Sequence, residues 1–152
     1  MTILDSKLVK FTKTVLDVMF GGGFFVLFTL PVSLKLLGKY YSAKIEENFL
    51  IMLVSLAVCG VFGILIIAQL RRMMRTVIGG NCFVYANVES LQKMAVFSIV
   101  IAGVTLTKLF VMPTPATAVV VLVFFIAALF SQVLSHVFEK AVSYKEENDL
   151  TI

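Results

Sequence analysis

The sequence predicts an all-α integral membrane protein: a four-helix bundle, N-in and C-in, with its helices extended on the cytoplasmic side. Three observations predict it. Of 152 residues, 60% are hydrophobic and only 14% charged, with a mean hydropathy of +1.02, whereas soluble domains carry about a quarter charged residues. Such a chain cannot coat itself with a polar surface in water. Asp, Glu, Lys and Arg are absent from residues 18–34, 48–70 and 109–138, and a span needs about 20 apolar residues. A fourth stretch, 94–107, lies between Lys93 and Lys108, whose long stems let their ammonium groups reach opposite interfaces. Backbone groups in hydrocarbon must be satisfied within their own segment, so each stretch is expected to be helical. The expected spans cover about 14–37, 48–70, 91–111 and 115–138 of one membrane domain, 1–152. A connection at 71–90 and a tail at 139–152 are expected in the cytoplasm.

The orientation rests on basic residues. With the N-terminus inside, the inner segments hold Lys7, Lys10, Lys13, Arg71, Arg72, Arg75, Lys93, Lys140 and Lys145. The outer ones hold only Lys35, Lys39, Lys44 and Lys108. Tyr40 and Tyr41 then fall at the outer interface, and Tyr85 and Tyr144 at the inner one, where amphipathic rings are favoured. The expected location is the cell membrane, multi-pass, with both termini cytoplasmic.

The first helix is expected from near Ser6 to past Gly38, with a kink at Pro31. It reads as a span and not a cleaved signal, because it is long and lacks a small-x-small site. Leu4, Leu8, Phe11 and Val15 line one face of its inner end, away from Lys7, Lys10 and Lys13. Gly21, Gly22 and Gly23 permit either close packing or a broken helix. A loop, KYYSAKIEEN, is expected to return the chain. The second helix is expected over about 47–78, ended by the glycines of GGN at 79–81. Its inner end places Leu70, Met73, Met74, Val77 and Ile78 on one face and Arg71, Arg72, Arg75 and Thr76 on the other.

The third helix is expected to start at Asn87 as N-cap, with Glu89 in its first turn. MPTPA is a tight turn, with Thr114 as N-cap and Pro115 at the first position of the fourth helix. Val137, Phe138, Ala141 and Val142 line one face of that helix past its span. In lipid, helices associate through close packing of small residues. Ser55, Cys59 and Gly63 form one such stripe, and Ala127, Ser131 and Ser135 another. Both are expected to be helix–helix seams, with a homo-oligomer face as the alternative.

Few residues suggest chemistry. Asp17 is the one acid inside an apolar helix, and Lys13, one turn before it, makes it an interfacial ion pair. His136 has no nucleophile or acid at a recognisable spacing and reads as an interfacial polar residue. Cys59 and Cys82 show no pairing or metal-ligand spacing and read as reduced packing residues. No cofactor and no metal is expected, and no enzyme activity. The basic group Arg71, Arg72, Arg75 and Lys93 suits anionic membrane lipid. It equally suits an acidic patch, on a partner or on this chain's own tail. That tail, Lys145, Glu146, Glu147, Asn148, Asp149, Leu150, Thr151 and Ile152, is by composition disordered. As an extended end it would instead add a strand to a partner or fill its groove.

The stretch LRRMMRTVIGG followed by GGNCFVYANVESLQKMAVF, together with the run from Lys145 to Ile152, resembles a bacterial membrane-protein family catalogued as domain of unknown function 2975. Phe83 and Asn87 occupy its Phe and Asn positions, and the tail matches its terminal run throughout. Cys82, where that family often has Pro, and Gln92, in a region usually richer in Arg, depart from it. The resemblance implies no enzyme activity. It implies a genetic neighbour, a small helix-turn-helix DNA-binding protein. The resulting expectation is a non-enzymatic regulatory membrane protein that does not itself bind nucleic acid. It would hold that regulator on Arg71, Arg72, Arg75, Phe83, Asn87, Lys93 and the tail. The alternative is a small transporter or resistance protein that binds a lipophilic compound between its helices.

Overall fold

In the computed structural model, residues 3–41 and 43–151 are described, with side chains from residue 5 onward. Five helices follow in order: α1 (Ile3–Tyr41), α2 (Ala43–Glu47), α3 (Phe49–Ile78), α4 (Tyr85–Val111) and α5 (Pro115–Leu150). Four of them, all but α2, are long and apolar enough to cross a membrane. The described residues contain no strand. Bilayer physics therefore selected the expected class, since only a helix satisfies every backbone group within one segment.

The spans pack in chain order. α1 lies on α3, α3 on α4 and α4 on α5; α1 does not approach α4 or α5 within 8 Å between Cα atoms. Neighbouring spans are antiparallel. Along the α1–α3 seam Asp17 meets Arg71, and a Cβ on Gly23 would meet Ile64 while one on Gly60 would meet Leu27. Along α3–α4, Thr76 meets Asn87, Phe62 meets Phe97 and Cys59 meets Thr105. The start of α1, the end of α3, the start of α4 and the end of α5 therefore share one end of the bundle, the termini end.

α4 is the central helix and buries the largest share of its apolar stretch; α1 buries the smallest. The buried column on α4 is Val88, Leu91, Ala95, Ser98, Ala102 and Thr105. On α5 the buried positions are 117, 128, 131, 135 and 142, and the half-buried 121, 124, 138 and 145 continue the same column, with 127 and 141 half-buried beside it. Both columns step alternately by three and four residues, the heptad spacing that keeps one seam facing a partner helix. Alanine and serine dominate it, which lets the two backbones come close. The α5 stripe thus runs through Ala128, not Ala127 as the four-residue spacing suggested, and on through Ser131 and Ser135. On α3, Cys59 faces α4 as expected. The Thr105 hydroxyl donates to Ile101 O at 2.7 Å, so at 3.7 Å the Cys59 thiol is the donor to Thr105 Oγ1. Gly63 makes no close helix contact: a Cβ there would touch nothing within 4 Å, and the residue lines a cavity between α1 and α3 instead.

Several boundaries differ from expectation. α1 starts at Ile3 and runs unbroken through Gly21, Gly22, Gly23 and Pro31 to Tyr41, which removes the broken-helix reading of the glycines. The expected return loop contains a helical turn, α2. It folds back against Gly38, where a Cβ would lie 2.8 Å from Glu46 Cγ. α3 begins at Phe49, and its end is a Schellman motif: Gly80 takes φ +80, Gly80 N–H donates to Val77 O at 3.1 Å and Asn81 N–H to Thr76 O at 3.1 Å. Thr114 caps α5 by accepting from Thr117 N–H at 3.2 Å, with Pro115 in the first turn, as expected.

At about 1.5 Å per residue, the 39 residues of α1 extend roughly 58 Å and the 36 of α5 roughly 54 Å. The hydrocarbon layer is about 30 Å thick. The uncharged stretches place most of the excess at the termini end, as residues 3–17 of α1 and 139–150 of α5.

Candidate functional site

The termini end gathers most of the residues that the sequence singles out. Its centre is the connection between α3 and α4, held by one side chain. The Asn87 amide nitrogen donates to Thr76 Oγ1 at 2.7 Å and to Cys82 O at 2.6 Å. Both partners are acceptors here, since Thr76 Oγ1 itself donates to Met73 O at 2.6 Å. This fixes which way the amide points. Asn87 is 0% exposed. It is therefore neither an N-cap nor a partner-facing residue, as the sequence suggested. The residue before α4 is Val84, in extended backbone with no side-chain cap, and Asn87 lies one turn inside. The sequence signal was correct about a short polar side chain needing backbone partners; it could not show that those partners lie behind the helix start. Asn87 Oδ1 and Ser90 Oγ are buried without a hydrogen-bond partner among the described residues.

The connection is also tied to α5. The Phe83 and Phe138 rings lie 5.4 Å apart, and Lys145 Nζ donates to Asn81 Oδ1. Phe83 remains 43% exposed. Beyond Phe138, Val142 is buried, so the first part of the α5 extension is docked.

The tail is helical, contrary to the expectation of a disordered or extended end. α5 continues to Leu150, and Thr151 closes it by donating from Oγ1 to Asn148 O at 2.8 Å. Ile152 lies outside the described residues. Glu146, Glu147, Asn148, Asp149, Leu150 and Thr151 are exposed. The last turn of α5 holds no basic residue, so its acids sit at the negative end of the helix dipole, where negative charge is unfavourable.

The basic group separates. Arg71 Nε binds Asp17 Oδ1 at 2.7 Å, and its guanidinium lies 4.4 Å from the centre of the Phe20 ring. Asp17 thus finds its interfacial partner across the seam and not in Lys13. Geometry decides this: Arg brings a planar fork and stacks on an aromatic face, which a lysine one turn away does not. Lys93 pairs with Glu89 along α4 at 2.8 Å. The hydrogen bond and charge of Lys93 hold the Glu89 carboxyl below its usual pKa. Arg72 and Arg75 are exposed. Among the described residues no ion pair joins Glu146, Glu147 or Asp149 to Arg71, Arg72, Arg75 or Lys93.

Two prongs flank this surface. The α1 prong presents Lys7, Lys10 and Lys13, and its apolar face, Leu8 and Phe11, is about two-thirds exposed; the Leu4 side chain lies outside the described residues. The α5 prong carries Lys140 and Lys145 against Glu139, Glu146, Glu147 and Asp149. Among the described residues, the polar partners of His136 lie on its own helix, Gln132 at 3.3 Å and Glu139 at 3.8 Å. Cys59 and Cys82 are free thiols. No group of three His, Cys, Asp or Glu among the described residues could hold a metal ion.

A protein-family model described as "protein of unknown function (DUF2975)" matches residues 18–152. The chain belongs to the DUF2975 family. The match includes α1 from residue 18 onward, the other three long helices, the connection and the α5 prong, and begins just past Asp17. No curated protein and no solved structure matches this DUF2975 chain.

One prediction follows from the buried amide. Asn87→Ala leaves Cys82 O and Thr76 Oγ1 short of a donor and is expected to cost about 1–3 kcal/mol, read as a lower midpoint of thermal unfolding in detergent. Asn87→Asp, which cannot donate when ionised, is expected to cost at least as much.

Proposed function

We propose that this chain is a non-enzymatic regulatory membrane protein whose cytoplasmic face docks a small helix-turn-helix transcription regulator and withholds it from DNA. The observation that carries the reading is the helical acidic end of α5. Glu146, Glu147 and Asp149 are exposed on a helix, their charge adds to the negative end of the dipole, and no basic side chain in that turn offsets it. A basic partner surface would. DNA-binding proteins carry such a surface, because neutralising phosphates supplies much of their affinity. The helix end would then compete with DNA for the same face. Leu150, 86% exposed, and the Phe83 ring add apolar contact. The regulator as occupant comes from the genetic neighbour that the family resemblance implies. The side of the membrane comes from basic residues: nine of the 13 Lys and Arg lie at the termini end, which favours N-in and C-in.

Co-purification from native membranes tests the docking. The full chain is expected to retain the regulator, and a chain lacking residues 145–152 to lose most of it. Equal recovery would remove the α5 end from the mechanism, and recovery from neither would end the reading. The orientation has its own measurement. In a Cys82→Ser background, Asn148→Cys should react with a membrane-impermeant maleimide only after cells are permeabilised. Labelling in intact cells would put the acidic prong in the wrong compartment.

One observation favours a second reading, a carrier for a lipophilic compound. Toward the opposite end, a cavity of about 280 Å³ opens between α3, α4 and α5, with Ser55, Cys59, Thr105, Thr117 and Lys108 in its wall. Ligand pockets combine an apolar lining with a few placed polar groups in this way. This reading predicts flux of a lipophilic dye across proteoliposomes that Thr105→Leu abolishes; no flux with the native chain excludes it.

A further inference from the structure

The α1–α3 seam holds two cavities end to end. At the termini end a cavity of about 200 Å³ is walled by Lys13, Asp17, Arg71 and Arg75 with Leu16, Met74 and Ile78. Three cations meet one carboxylate there, so the cavity keeps a net positive charge. Directly beyond it, a cavity of about 520 Å³ runs along the same seam from Val18 to Leu30 on α1 and from Ile67 to Leu56 on α3. Its wall is almost wholly apolar, and four glycines, Gly22, Gly23, Gly60 and Gly63, hollow it out. Cβ atoms at Gly22 and Gly63 would meet nothing within 4 Å, so helix packing alone does not require glycine at these two places.

The geometry points to a binding site for one anionic phospholipid, headgroup phosphate in the cationic cavity and acyl chain along the glycine-walled groove. Three features support this occupant. The first is charge. Arg71 is held by Asp17 through Nε and by the Phe20 ring, which leaves its remaining N–H donors in the cavity wall unbonded among the described residues; a planar guanidinium fixed in this way suits a phosphate. Lys13 and Arg75, both exposed, add charge that pairs with no acid among the described residues. The second is depth. The cationic cavity lies where the uncharged stretches of α1 and α3 end, the level of the headgroups. The third is length. From Val18 to Leu30 the helix rises roughly 18 Å, against about 15 Å for one leaflet's share of the hydrocarbon. The site does not depend on regulator docking, and α1 has no other spanning neighbour to close the groove.

Native mass spectrometry of the full-length protein in detergent, titrated with phosphatidylglycerol or phosphatidylcholine, tests it. Phosphatidylglycerol is expected to be retained over phosphatidylcholine. Arg75→Gln and Lys13→Gln should each weaken its retention about fivefold, the scale of one basic residue beside anionic lipid. Both positions are exposed, so these variants should fold; circular dichroism and the unfolding midpoint verify that. Gly63→Leu, which fills open space, should displace phosphatidylglycerol without altering charge. Equal retention of the two lipids, or full retention by the Arg75 and Lys13 variants, would overturn the site. Competition by water-soluble glycerol phosphate at equal concentration would overturn the lipid in favour of a soluble anion. Unaltered retention by Gly63→Leu would overturn the groove.

Discussion

The structure depends on one seam, the close approach of α4 and α5 through small side chains at heptad spacing. In hydrocarbon there is no hydrophobic gain from bringing two apolar helices together, so van der Waals contact must supply it. Ala95, Ser98 and Ala102 on α4, and Ala128, Ser131 and Ser135 on α5, leave room for that contact. The period carries on past the span. Phe138, Val142 and Lys145 are the less exposed positions of the α5 extension, and they reach the connection through Phe83 and Asn81. A packing rule set in the bilayer therefore projects an ordered helix out of it. Without the seam, the acids of the last turn, set against their own helix dipole, would favour fraying.

The second consequence is asymmetry. α4 meets a helix on each side and α1 meets one spanning helix. At the centre, Asn87 ties the end of α3 to the start of α4. The edge is open, and its polar groups are drawn together by one ion pair, Asp17 with Arg71. That pair is partly exposed, so its contribution to stability is small. Its importance is positional: it fixes a guanidinium where the uncharged stretches of α1 and α3 end. The two prongs then differ in chemistry, α1 basic and apolar, α5 acidic and polar.

What could be read from the sequence follows from which quantities belong to single residues. The cost of placing a charge in hydrocarbon is one, so runs without Lys, Arg, Asp or Glu gave the four spans. Helix-ending glycine and the Thr114–Pro115 start depend on a few neighbours and were also legible, as GGN and MPTPA. The heptad column on α5 was present in the letters but hidden. A helix apolar on every side offers no polar face to contrast with, and Ala127 and Ala128 are the same side chain, separated only by the direction in which the helix turns each one. The tail was misread for a different reason. Lys145 to Asp149 is polar in composition, and composition cannot report that Val142, one turn earlier, is anchored against a neighbouring helix.

By itself, then, the sequence determined the apolar character of this DUF2975 chain, its secondary structure class, the number of its helices long and apolar enough to cross a membrane and the end at which its basic residues gather. Each of these is a sum over local free energies of transfer or of backbone conformation. Only the tertiary structure decided the partners: Arg71 for Asp17, Thr76 and Cys82 for Asn87, α4 for α5, and none but α3 among the spans for α1. Those are pairings between separate helices or across the turn that joins them, set by helix register and by which side chains are small enough to let two backbones meet. No single segment carries that information alone.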